Sequence, residues 1–227
     1  MSATKEFHHD EIGSNQRLCI ILIKDYPVLF DTEMVQAILS GKKTSTRRLF
    51  KKPLSKAVEP AKEIFHDGTH WVARLKNGQC YRYPIICPYG ETGDYLWVKE
   101  TFCPPFKDQV KPAFLFKADY HIGVSEHKKN KNMWKPSIHM PRAAARLWLE
   151  ITELKPQRIQ SITEQEAMKE GVMPAHLLNF EPEIYSSYRA GFYKKWISIY
   201  GIESWHLNPW VWTIDFKPIS GIKIPPV

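Results

Sequence analysis

The apolar residues of this chain fall in short runs of strand length that do not alternate regularly with helices. That irregularity restricts the fold more than any other feature. "LCIILI" (18–23), "HWVARL" (70–75), "CYRYPII" (80–86), "YLWVKETF" (95–102), "AFLFKAD" (113–119), "RLWLEITEL" (146–154) and "WVWTIDF" (210–216) are each strand-like. In the sixth run Leu147, Leu149 and Ile151 point one way and Trp148 and Glu150 the other, the pattern of a half-buried strand. Residues 76–79, Lys-Asn-Gly-Gln, are a turn candidate between the second and third runs.

Helical spacing occurs in three places. In "DTEMVQAILSGKK" Met34, Val35, Ile38 and Leu39 share a face, with Asp31 or Thr32 as N-cap and Gly41 as the stop. "ITEQEAMKE" opens on a T-x-x-E capping box, Thr163 and Glu166, and Gly171 ends it. Ile184, Tyr188, Phe192, Trp196 and Ile199 predict an amphipathic helix over 182–200, closed by Gly201. Strands and helices scattered in this way predict an α+β fold, a small mixed β-barrel rather than a doubly wound sheet.

A length of 227 residues suits one core with insertions. Seventeen prolines against 11 glycines imply stiff, extended connections. The expected organisation is an N-terminal arm over 1–17, one domain over 18–218 with insertions at about 52–90 and 104–141, and a tail over 219–227. The N-terminus lacks the apolar core of a signal peptide and no run approaches about 18 apolar residues, so a cytoplasmic protein without a membrane span is expected. Cys19, Cys80, Cys87 and Cys103 are too few and too dispersed for a disulfide scaffold or a zinc knuckle, so reduced thiols are expected and no metal or cofactor is assigned. His8, His9 and Asp10 read as part of a disordered arm rather than as a metal site. The net charge of +8 favours a polyanionic partner such as RNA or DNA, beside the plainer reading of a basic surface with no specific partner.

The densest chemistry lies in "GKKTSTRR", 41–48, which has four cations, three hydroxyls and no acidic or apolar residue. A P-loop is excluded: the first glycine position is Gln36, Lys42 is followed by another lysine, and a helix precedes the run where a strand belongs. A solvated basic loop and a reactive site both remain open.

"ILSGKKTSTRR", "ITEQEAMKEG" and "NPWVWTIDF" together resemble the ASCH domain family, a branch of the PUA-like β-barrels. "CPYGETGDYLWVKETF" and "KPSIHMPRAAARLWLEIT" are similar to the longer ASCH proteins of phages and prophages. The resemblance spans about residues 27–218 and implies a PUA-like barrel with flanking helices in a bacterial or phage-encoded protein. By likeness to the small bacterial members that hydrolyse N4-acetylcytidine, it implies an amidohydrolase of N4-acylated cytosine nucleosides or nucleotides. In that likeness Lys43 is the base, Thr46 the nucleophile and Glu170 the proton donor. Modified cytidine, as nucleoside, nucleotide or RNA, is the implied partner. An RNA- or DNA-binding module, or a ribonuclease, is the alternative. The chain is about twice the length of the small amidohydrolases, so the site is carried over more firmly than its substrate.

The chemistry is coherent. Amide hydrolysis needs a nucleophile, a base, an acid for the leaving amine and a donor for the oxyanion. Lysine is a base only if its charge is disfavoured; Lys42, Arg47, Arg48 and burial would act that way, whereas the preceding helix C-terminus opposes them. Glu170, at a helix C-terminus, faces the negative dipole end, as suits a proton donor, while Lys169 opposes this. Arg47 and Arg48 are phosphate-binding candidates, Trp97 and Trp134 base-stacking candidates, and Ser137, His139 and Arg142 candidates for phosphate or base edges.

Overall fold

The computed structural model describes residues 3–4, 22–51, 57–80, 84–105, 114–120, 133–175 and 187–219. In chain order its strands are β1 (Ala3–Thr4), β2 (Leu22–Ile23), β3 (Asp25–Leu29), β4 (Ser45–Leu49), β5 (Ala61–His66), β6 (Trp71–Leu75), β7 (Tyr95–Lys99), β8 (Phe102–Cys103), β9 (Leu115–Phe116), β10 (Trp148–Arg158) and β11 (Trp210–Ile219). The α-helices are α1 (Thr32–Leu39), α2 (Glu164–Lys169), α3 (Tyr188–Tyr200) and α4 (Ile202–His206). The class is mixed α+β, as the scattered pattern predicts.

Five strands form one sheet in the order β3-β7-β10-β11-β4, with β3–β7 parallel and the other pairs antiparallel. The sheet is open: among the described residues no ladder joins β3 to β4. These edge strands are the two that flank α1 in sequence, so the helix must cross from one edge to the other. It buries Val35 and Ile38 in the core shared by Val28, Leu96, Leu149, Ile151, Trp212 and Phe216. Arg48 Nη2, from β4, donates to the Leu29 carbonyl at the end of β3 at 2.6 Å, a side-chain stitch where a ladder is missing.

A β-bulge between Ile151 and Glu153 re-aims β10. Before it Leu149 and Ile151 face the core; after it Leu154 does, and Gln157 falls on the opposite face beside Thr213. That face is covered by α2, α3 and α4 around Ile159, Ile162, Ala167, Phe192, Trp196 and Val211. Burying a side chain such as Phe192 stabilises by about 1.5–3 kcal/mol, which holds the helices to the sheet without a regular helical repeat.

Several expectations need correction. Trp148 is buried with Trp97, Phe102, Met140, Ala144 and Ala145, so β10 is covered on both faces there. α3 starts at Tyr188, capped by Ser187; Ile184 lies outside the described residues and Ile199 is half exposed. "AFLFKAD" yields only β9 before a 3₁₀ turn at Lys117–Asp119. β6 pairs with β5, a strand the sequence pattern missed; of "CYRYPII", residues 81–83 lie outside the described residues, and Cys80 and Ile85 bridge to Arg74 and Trp71 of β6. Of the N-terminal arm, Ala3–Thr4 pairs with β2, while His8, His9 and Asp10 lie outside the described residues. Among the described residues no helix is long and apolar enough to cross a membrane.

Candidate functional site

α1 begins where Asp31 accepts a hydrogen bond from the Met34 N–H at 2.8 Å. It ends at Ser40 and Gly41, where the N–H groups of Lys42 and Lys43 both donate to the Ala37 carbonyl at 2.9 and 3.0 Å. This tight exit delivers Lys43 to the end of α2. Lys43 and Glu170 form an antiparallel bridge, and the Thr44 N–H donates to the Lys169 carbonyl at 2.8 Å.

α2 is fixed from its other end by the expected capping box. Thr163 Oγ1 accepts from the Glu166 N–H, and Glu166 Oε2 accepts from the Thr163 N–H. Glu170 is its C-cap, and Gly171 turns the chain away at φ +74°. A Cβ on Gly171 would lie 2.7 Å from Lys43 Cβ, so the approach of the two segments needs glycine there.

Lys43 and Glu170 are both buried, and their charged groups meet at 2.8 Å between Nζ and Oε2. Lys43 Nζ also donates to the Glu170 carbonyl at 2.8 Å and sits over the Phe30 ring, 5.6 Å from its centroid. Burial holds the Lys43 pKa below its ordinary value; Glu170 pulls it upward through charge and hydrogen bond, and Arg48 pushes in the same direction as burial. Desolvation is the largest of these influences.

Arg47 and Arg48 are neighbours on β4 and therefore face opposite ways. Arg48 stacks on Phe30, on the core side, with its guanidinium 5.0 Å from the ring centroid. Arg47 turns to the helix layer over Phe192, at 5.7 Å. There its Nη1 lies 3.2 Å from Glu170 Oε1 and its Nη2 lies 3.0 Å from Glu166 Oε2 and 3.3 Å from Gln157 Oε1. Gln157 Nε2 donates to Glu166 Oε1 at 3.3 Å, and Thr213 donates to Gln157 Oε1 at 2.8 Å. Arg47 is thus the hub of a buried network and not a free phosphate ligand, which corrects its assignment.

A cleft of about 1160 Å³ lies between α1, β4, residues 170–175 and α3. Thr46, Arg47, Arg48 and Glu170 reach its wall; Lys43 stands behind Glu170 with no exposed side-chain surface. Among the described residues the Thr46 hydroxyl has no hydrogen-bond partner. Lys195 crosses one end of the cleft, pairing with Asp31 at 2.7 Å and Glu33 at 2.8 Å on α1.

The other expected binding residues do not join this site. Trp97 is buried against Trp148 and Met140. Arg142 binds Asp25 through Nε and Nη2 at 2.9 and 2.8 Å. Ser137 and His139 lie in a 3₁₀ turn away from the cleft, and Trp134 packs edge-on to Tyr120 at 5.4 Å between centroids. Sequence reasoning missed Gln157, Thr213 and the tether Lys195, and read Glu166 only as a cap. Position on an alternating strand could have separated Arg47 from Arg48, but no local signal identifies Gln157. No protein-family model, curated protein or solved structure matches the chain.

Proposed function

We propose that the cleft hydrolyses the amide of N4-acylated cytosine nucleosides or nucleotides, with the ASCH-type roles of Lys43, Thr46 and Glu170. The observation that carries the reading is the buried Lys43–Glu170 contact directly behind a cleft whose lining includes Thr46, itself 3% exposed. Burial lowers the Lys43 pKa, the direction a base requires. In the proposed reaction Thr46 Oγ attacks the acyl carbon as Lys43 takes its proton. Before attack a proton passes from Lys43 to Glu170 within their contact. The C–N bond then breaks as Glu170 delivers that proton to the leaving amine. Water cleaves the acyl-threonine ester, giving a proton to the Glu170 carboxylate while Lys43 returns its own to Thr46 Oγ. Reaching the Thr46 proton requires Lys43 to leave its contacts with Glu170, which substrate entry would have to compensate. The PUA-like reading of the fold is supported by a five-stranded sheet whose edges are spanned by α1 and the Arg48 stitch.

Incubation with N4-acetylcytidine, read by chromatography for cytidine and acetate, tests this. Turnover that Lys43→Ala, Thr46→Ala and Glu170→Gln each abolish is expected; an inert substrate, or a fully active Lys43→Ala protein, overturns it.

A second reading, polynucleotide binding without turnover, is favoured by Lys42 and Lys194. Both are exposed at the cleft, and among the described residues neither has an ion-pair partner. It requires RNA or DNA affinity that falls steeply with salt, with the nucleic acid left intact. Shortened RNA would instead indicate a ribonuclease.

A further inference from the structure

We propose that the cleft selects amides with a large apolar acyl group, six or more carbons, over the acetyl compound; this rests on the hydrolase reading above. Two observations point there. The first is size: about 1160 Å³ exceeds the roughly 300–1,000 Å³ usual for small-molecule clefts, whereas an acetyl group contributes one methyl to fill it.

The second is composition. Beside polar lining such as Gln36, Ser40, Arg48 and Lys195, the cleft has an apolar share from Met34 and Leu39 of α1, Val172 and Met173 after Gly171, and Ile199 of α3. Leu39, Met173 and Ile199 are 50, 73 and 50% exposed, although large apolar side chains are normally withdrawn from water. Scattered exposed residues of this kind carry no meaning, but these line one cleft that also holds the proposed nucleophile.

The occupant follows from the chemistry of the substrate. The sugar and any phosphate are polar and suit the rim cations Lys42 and Lys194. The acyl chain is the only apolar part attached to the carbon that Thr46 attacks, and the apolar residues line the same cleft as Thr46. Two of the five wall residues are methionines, whose unbranched side chains adapt to chains of different shape.

The test is a series of N4-acylcytidines from acetyl through butanoyl and hexanoyl to octanoyl, with kcat/KM measured from cytidine release. The expected result is a rise of about fourfold per added methylene until the wall is covered. Leu39→Ser and Met173→Ser should each cut the octanoyl-to-acetyl ratio tenfold or more. Calorimetric binding of the same series to Thr46→Ala protein should show the same ranking without turnover. A flat series, or one led by acetyl, overturns the acyl selection and leaves the hydrolase reading standing. Failure to release cytidine from any member overturns both.

Discussion

Arg47 grips Glu170 on the oxygen that Lys43 leaves free, with Nη1 3.2 Å from Oε1 while Lys43 Nζ lies 2.8 Å from Oε2. Its second terminal nitrogen holds Glu166, so one guanidinium orients two carboxylates from the same helix. Arg47→Met strands both against an uncharged neighbour and should destabilise the protein by about 3–5 kcal/mol. Arg47→Lys keeps the charge but loses the fork, and an intermediate loss is expected. Denaturant midpoints of the two variants check the order.

Lys43 and Glu170 should fail more gently together than apart. Removing either leaves the other buried with one partner fewer, at about 3–5 kcal/mol, whereas Lys43→Met with Glu170→Met removes both charges. A double-mutant cycle from urea unfolding should therefore give a double-variant loss well below the sum of the singles. Additive losses would mean that the contact contributes little.

Glu166 gives the stability a pH dependence of definite sign. Burial pushes its pKa up, but the Thr163 N–H, Arg47, Gln157 and Lys155 outweigh that and hold it below the ordinary 4.5. The unfolded chain therefore takes up this proton first. The Glu166 contribution is fully present above pH 4.5 and is lost as pH falls through the lower folded value. Glu166→Gln, which can still accept from Thr163, should flatten the fall in unfolding midpoint between pH 5 and 3.

How legible this was depended on distance along the chain. The Asp31 cap, the Gly41 stop and the Thr163–Glu166 box could be read because all their atoms lie within a few residues. Arg47 could not be assigned, since Glu170 and Gln157 lie 123 and 110 residues away. "PSIHMPR" drew attention through its residue types, but types do not reveal that Arg142 is held by Asp25, 117 residues earlier. The bulge after Ile151 leaves no local mark either, yet it decides that Gln157 faces the helices.

Arg142→Ala separates those two regions. It removes a bidentate pair with Asp25 and the guanidinium over Trp148, so a loss of about 1–3 kcal/mol is expected. Because neither Arg142 nor Asp25 lines the cleft, kcat and KM for an N4-acylcytidine should stay within about twofold of the parent. A tenfold loss of activity at unchanged stability would restore Arg142 to the site.

Gly191 on α3 sets how closely the wall at Met173 approaches. A Cβ there would lie 1.9 Å from the Met173 carbonyl oxygen. Gly191→Ala must displace residues 172–175 and should cost about 1–3 kcal/mol as overpacking. The fluorescence of a dye placed at Met173→Cys should report the displacement.

Thr44 has a quieter role than its neighbours: its N–H is bound to Lys169 and its carbonyl accepts from the Phe216 N–H at 2.9 Å. Main-chain bonds on both sides ignore side-chain identity but count residues. "GKKTSTRR" therefore behaves as a ruler between α1 and β4: its length is fixed by the main chain, and one inserted or deleted residue would put Lys43 and Thr46 out of step with Glu170.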